Sequence, residues 1–119
     1  MWADRLLDAK TMGYGEWESS KNGTAAAVDM IPKDIILCDW HYEKRSNYPS
    51  VPFLSKKGFR VWPSSWQPLE AAKAFSAFSR EQNNERVVGM LCTTWGKAKI
   101  GNAADWPPLK EVLSDWKSQ

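Results

Sequence analysis

Ile35-Ile36-Leu37-Cys38-Asp39-Trp40-His41-Tyr42-Glu43 is the stretch that decides how this chain reads. Ile35 to Cys38 is an apolar run with no polar interruption, the pattern of a strand covered on both faces. It ends abruptly in a cluster that is both polar and aromatic. Working outward, three more short apolar runs end the same way: Met1 to Leu7, Phe59 to Trp66, and Val87 to Trp95. Together with Asp34 to Tyr42 they hold five of the eight tryptophans: Trp2, Trp40, Trp62, Trp66 and Trp95. Three of the runs are followed by a helical pattern. Strand, aromatic cluster, loop and helix in repetition is the order of a parallel α/β fold. Ligands of such folds bind outside the carboxyl ends of the strands.

The remaining segments fit between these runs. Residues 1–7 read as a strand, or the remaining end of one. Residues 8–23 are polar and punctuated by Gly13, Gly15 and Gly23, so they read as a long loop, with Trp17 between Glu16 and Glu18. Loops of that length in small domains are often functional. Thr24 to Met30 reads as a short helix with Thr24 as N-cap, and Pro32-Lys33-Asp34 as a turn. A loop from Ser46 to Pro52 leads into a short helix over Val51 to Lys57, closed by Gly58. Phe59 to Trp62 is a strand whose ladder Pro63 ends. A helix starting at Pro68 runs to about Gln82, with Leu69, Ala72 and Phe75 on one side and Phe78 nearby; Asn83-Asn84 stops it. Val87 to Cys92 is the fourth strand, and Gly89 inside it implies a bend or a close backbone neighbour. After Pro107-Pro108, Leu109, Val112, Leu113 and Trp116 fall at i, i+3, i+4 and i+7, which makes a buried stripe and places Trp116 in the core.

The 119 residues suit one domain with a modest core. Four strand–helix units are half of an eight-unit barrel of about 250 residues. The chain therefore forms either a small open sheet or half a barrel that needs a partner half. Met1 opens directly onto an apolar segment without a basic leader, which reads as a chain cut from something longer, with a natural start as the alternative. Charge is nearly balanced, 16 Lys+Arg against 14 Asp+Glu, and short pairs such as Lys56-Lys57 and Lys97/Lys99 are scattered. Neither a nucleic-acid partner nor an anionic membrane is expected. No apolar stretch approaches the roughly 18 residues that span a bilayer. No metal ion or other cofactor is expected, because Cys38, Cys92 and His41 lack the short spacing of a zinc site. Cys38 and Cys92 read as buried thiols, with pairing between strands left open. Asn22-Gly23-Thr24 fits a glycosylation acceptor, meaningful only in a protein secreted from a eukaryote.

Position at a strand's carboxyl end selects Asp4, Asp39, Trp40, His41, Tyr42, Trp62, Ser64, Trp66, Thr94 and Trp95 as candidates. An aromatic ring offers a large apolar face and, in Trp and Tyr, a polar handle. A sugar ring has apolar C–H faces edged with hydroxyls, so aromatic rings beside an Asp suit it. The same tryptophans would also serve as packing alone, although aliphatic residues fill such layers more usually. His41, the only histidine, reads as a hydrogen-bonded structural residue, since no nucleophile motif accompanies it. Asp4 and Asp39 are the only carboxylates at strand ends. A hydrolytic pair is one reading of them, and a binding or orienting role is the stronger one.

At these strand ends the chain resembles the C-terminal half of a family 20 glycoside hydrolase catalytic domain, of the β-N-acetylhexosaminidase type. The resemblance is carried by Met1-Trp2-Ala3-Asp4, Ile36-Leu37-Cys38-Asp39-Trp40-His41-Tyr42, Trp62-Pro63-Ser64-Ser65-Trp66 and Gly89-Met90-Leu91-Cys92-Thr93-Thr94-Trp95. It implies a partial (β/α) TIM barrel, strands five to eight, over residues 1–119 as a single unit. It also implies a pocket for an N-acetylhexosamine-containing glycan, bound by Trp2, Asp4, Asp39, Trp40, Tyr42, Trp62, Trp66 and Trp95. In that family the substrate's acetamide is the nucleophile, oriented by an Asp, and an adjacent Glu is the acid. No Asp-Glu dipeptide occurs in this chain, so no catalytic residue is expected in it. Lys97 also stands where the family often has an acidic residue. The expectation is a chain that supplies pocket walls, is inactive alone, and self-associates or pairs with a missing N-terminal half-barrel. The alternatives are a non-enzymatic carbohydrate-binding module and a structural α/β domain.

Overall fold

The computed structural model describes residues 1–96 and 102–117. Three strands, β1 (Leu37–Trp40), β2 (Val61–Ser65) and β3 (Leu91–Cys92), form a parallel sheet in the order β1-β2-β3. The helices are α1 (Ala9–Met12), α2 (Ser50–Lys56), α3 (Leu69–Glu81) and α4 (Pro107–Lys117). Helix α2 packs on β1 and β2, α3 on β2, and α4 on β3 and α3. The chain is thus an α/β protein with a parallel sheet, as its alternating pattern requires.

The first apolar run contributes only one pairing to this sheet. Trp2 bridges Cys38 in parallel, with Ala3 N donating to the Cys38 carbonyl at 2.9 Å and Cys38 N to the Met1 carbonyl at 2.7 Å. The chain then turns through a 3-10 segment, Asp4–Leu6. The expected strand over residues 1–7 is corrected accordingly: Leu6 and Leu7 are buried in the core, and the turn leaves Asp4 at the mouth of the sheet. The long loop of residues 8–23 also holds one helical turn, α1, which Asp8 caps by accepting from Thr11 N at 2.8 Å. Thr24 does not cap the following 3-10 segment, Thr24–Met30, because its hydroxyl donates to the Arg5 carbonyl at 2.7 Å.

Pro63 lies inside β2 rather than ending it. Val61 faces Val87, yet Ser64 faces Leu91, so the partner strand carries one extra residue over this interval. That is a bulge, and Gly89 at φ +138° sits in it. Nothing lies within 4 Å of where a Gly89 side chain would begin, so backbone conformation, not close packing, is what calls for glycine there. Hydrogen bonding resumes at Thr93 N to the Ser65 carbonyl, 2.8 Å. Proline's missing donor therefore falls opposite the interruption, one of the few places a sheet tolerates it.

The helices cover one face of the sheet. Leu37, Val61 and Phe59 join Leu6, Leu7 and Leu54 in one buried cluster, and Tyr48, Val51, Phe75, Met90 and Val112 form a second. Trp116 is partly buried: it packs against the second cluster and donates from Nε1 to Ser76 Oγ at 2.8 Å, on the side its helical spacing indicates. Among the described residues, the opposite face has no helix. Cys38 and Trp62 sit side by side on it, with Trp62 36% and Val88 44% exposed. Cys38 and Cys92 are free thiols. Among the described residues, no helix is long and apolar enough to cross a membrane.

Candidate functional site

Side chains alternate across a strand, and the end of β1 separates two sets of residues by parity. Asp39 and His41 turn toward α2. Trp40 and Tyr42 turn away from it, to the mouth of the sheet.

The outward set builds an aromatic pocket. Trp2, Asp4, Trp40, Tyr42 and Trp95 line a cavity of about 320 Å³. The rings form a chain of contacts: Trp2 and Trp95 with centroids 5.6 Å apart, Trp40 and Tyr42 5.0 Å apart. These are normal separations for attractive aromatic pairs. Trp95 Nε1 donates to the Tyr42 hydroxyl at 2.7 Å, tying the end of β3 to the end of β1. Trp95 is held at φ +47°, an uncommon conformation for an aromatic residue. It stays 55% exposed.

Asp4 is the carboxylate of this pocket. Trp40 Nε1 donates to its Oδ1 at 3.1 Å and Arg5 Nε to its Oδ2 at 2.7 Å. Each oxygen keeps a further lone pair for an incoming hydroxyl. The Tyr42 oxygen accepts from Trp95, so its own proton remains available to an acceptor on a ligand.

The inward set makes a buried polar network. His41 is fully buried, with Nδ1 2.6 Å from Glu18 Oε1 and Nε2 2.8 Å from Asp39 Oδ1 and 3.0 Å from Ser50 Oγ. Ser50 Oγ donates to Asp39 Oδ2 at 2.6 Å, and Tyr14 OH lies 2.8 Å from Ser50 Oγ. Arg45 Nη2 closes the outer side of Glu18 at 2.9 Å. Burial alone would lower the His41 pKa. The Asp39 charge and the hydrogen bonds to Asp39 and Glu18 outweigh it and hold the imidazolium to about 9. Burial likewise opposes ionisation of Glu18, yet its bond to His41 and the charges of His41 and Arg45 keep it below the usual carboxylate range. Ser, His and carboxylate are in contact here, with His41 and Ser50 both 0% exposed. The lone histidine is thus hydrogen-bonded on both ring nitrogens within the core.

Of the expected contacts, Trp2, Asp4, Trp40, Tyr42 and Trp95 come together. Asp39 does not join them. It is 1% exposed and both its oxygens are taken by His41 and Ser50. Trp62 lies on the open face of the sheet, opposite Cys38, outside the residues that line the cavity. Trp66 stands behind the pocket, 5.4 Å from the Tyr42 ring, with Nε1 donating to the Thr94 carbonyl at 3.2 Å. Ser64 is buried and donates to the Trp62 carbonyl. Lys97 falls outside the described residues. Two residues of the 1–23 segment carry no functional signal in the sequence: Glu18, the buried partner of His41, and Arg5, which organises the loop. A Glu-Trp-Glu triplet in a glycine-rich loop gives no signal that one of its carboxylates is buried.

Comparison of the chain with protein-family models and with curated proteins returned no match.

Proposed function

We propose that this chain forms the aromatic side of a sugar-binding pocket, as strands five to eight of a (β/α) barrel of the family 20 glycoside hydrolase type. The observation that carries the reading is the cavity of about 320 Å³ in which Trp2, Trp40, Tyr42 and Trp95 surround the carboxylate of Asp4 at the strands' carboxyl ends. The rings present flat apolar faces to the C–H face of a sugar ring. Asp4 accepts from sugar hydroxyls, and the Tyr42 hydroxyl donates to an oxygen such as that of an acetamido group. Fixed donors and acceptors beside apolar walls are the usual constitution of a small-molecule site.

The chain supplies walls and orientation, not the proton. The carboxylate within the pocket, Asp4, is engaged by Arg5 Nε and Trp40 Nε1, and no Asp-Glu dipeptide occurs in the chain to supply an acid. The purified 119-residue protein is therefore expected to bind N-acetylglucosamine without cleaving an aryl N-acetylglucosaminide. Titration followed by tryptophan fluorescence should show saturable binding that weakens at least about tenfold in Trp95→Ala, the equivalent of about 1.4 kcal/mol. Binding that is unaffected by Trp95→Ala refutes the pocket. Turnover by the chain alone refutes the division of labour.

A further inference from the structure

Trp17 is the most exposed large aromatic side chain that the fold holds rigid. It is 81% exposed, yet its backbone is not loose. A single nitrogen, Arg5 Nη2, donates to the carbonyls of Glu16 at 2.8 Å, Trp17 at 3.1 Å and Ser19 at 2.8 Å. Ser19 Oγ closes the turn on the Gly15 carbonyl at 2.6 Å, and Ser20 N bonds the Leu7 carbonyl at 2.7 Å. The next residue, Glu18, is fixed on His41 and Arg45. An indole projecting into solvent from pinned backbone contributes nothing to the core. As a ready platform it loses little backbone freedom on binding.

Its position gives it a use. Trp17 and Trp40 both line a groove of about 570 Å³ whose remaining lining includes Asp4, Lys21 and Asn22. Asp4 and Trp40 also line the aromatic pocket. The two concavities therefore adjoin at these shared residues. The groove carries both signs of charge, Asp4 and Glu16 against Arg5 and Lys21, together with the amide of Asn22. Such a lining suits neutral hydroxyl-bearing groups better than a polyanion.

We infer that Trp17 is the stacking platform for a second sugar ring. The ligand is then a neutral oligosaccharide whose first ring occupies the aromatic pocket and whose next ring runs over Asp4 against Trp17. The inference rests on the sugar-pocket reading and extends it from a single ring to a chain. Its test is the titration of the full chain with N-acetylglucosamine and with its β-1,4-linked trisaccharide, in wild type, Trp17→Ala and Trp17→Tyr. Wild type should bind the trisaccharide at least about tenfold more tightly than the monosaccharide, the scale of one stacked ring. Trp17→Ala should bring the trisaccharide to the monosaccharide level and leave monosaccharide affinity within about twofold, while Trp17→Tyr keeps part of the gain. Equal affinity for the two sugars, or a trisaccharide advantage that survives Trp17→Ala, overturns this inference and leaves the pocket standing. Failure of both sugars to bind overturns the pocket and this inference with it.

Discussion

Raising the pH from 6.5 to 8.5 is expected to cost the fold about 2 kcal/mol through one side chain, His41. The ring is fully buried between Glu18 at 2.6 Å and Asp39 at 2.8 Å. It titrates at about 9 in the fold against an ordinary 6.5. The folded value lies above the unfolded one, so the folded protein holds the extra proton. The stabilisation is fully present below pH 6.5 and is lost as pH rises through about 9. The whole displacement corresponds to about 3 kcal/mol, of which less than about 1 kcal/mol remains at pH 8.5. Against a typical stability of about 5–15 kcal/mol the loss is easily measured.

The assay is urea unfolding followed by tryptophan fluorescence at pH 6.5, 7.5 and 8.5, with a constant m value as the check on two-state behaviour. The window stops at 8.5 for a reason. Burial raises the Cys92 thiol from 9.0, and Tyr48 from 10.0, so both weaken the fold in the same direction at higher pH. His41→Gln keeps a donor but no charge. It should lower stability at pH 6.5 by about 3–5 kcal/mol, because two carboxylates lose their buried partner. It should also flatten the dependence between pH 6.5 and 8.5. A wild-type stability constant to within about 0.5 kcal/mol over this window would refute the account, since linkage then assigns no proton to the fold. So would a slope that persists in His41→Gln.

Trp40→Phe keeps an aromatic face and removes the N–H that holds Asp4 Oδ1 at 3.1 Å. It should weaken N-acetylglucosamine binding by about 0.5–1.5 kcal/mol, read by isothermal titration, with little change in unfolding midpoint. The sheet face that bears Trp62 and Val88 is open, so wild type should self-associate with rising concentration and Trp62→Lys should shift it toward monomer in analytical ultracentrifugation. A strictly monomeric wild type at high concentration counts against a half-barrel. Gly89→Ala forces a side chain onto φ +138° and should cost about 1–3 kcal/mol in urea unfolding, although it clashes with nothing.

The alternating strand and helix order was legible because long periodic patterns and capping residues are local. Helix α3 spans Leu69–Glu81, one residue inside the expected Pro68 to Gln82, and Gly58 follows α2 at φ +99° as a terminating glycine should. What failed depended on contacts between segments. Pro63 reads as a strand end unless the bulge beside it is known. Asp39 and Trp40 read as members of one site only if both faces of β1 are equally covered. Here one face is covered by helices and the other is open, so the two-residue period applies and sends them apart. Glu18 and Arg5 were hidden for the same kind of reason. Their partners lie 23 residues and 11 to 14 residues away in sequence, and no local pattern marks a buried carboxylate in a loop.

That parity also explains how a small sheet with one bare face can hold an exposed aromatic site in order. The inward residues, Asp39 and His41, anchor the 13–20 loop through Glu18, and Arg5 anchors the same loop from the other side through three carbonyls. The outward residues, Trp40 and Tyr42, are positioned by the same strand and tied to Asp4 and Trp95. Arg5 and Asp4 are neighbours and share a hydrogen bond, so the loop that carries Trp17 and the carboxylate of the pocket hang on one turn. The buried polar network fixes geometry at a place where apolar burial does not, because the rings beside it stay partly exposed. Alternate residues of one strand end thus take different roles: position 41 carries the titrating imidazole, and positions 40 and 42 line the proposed pocket.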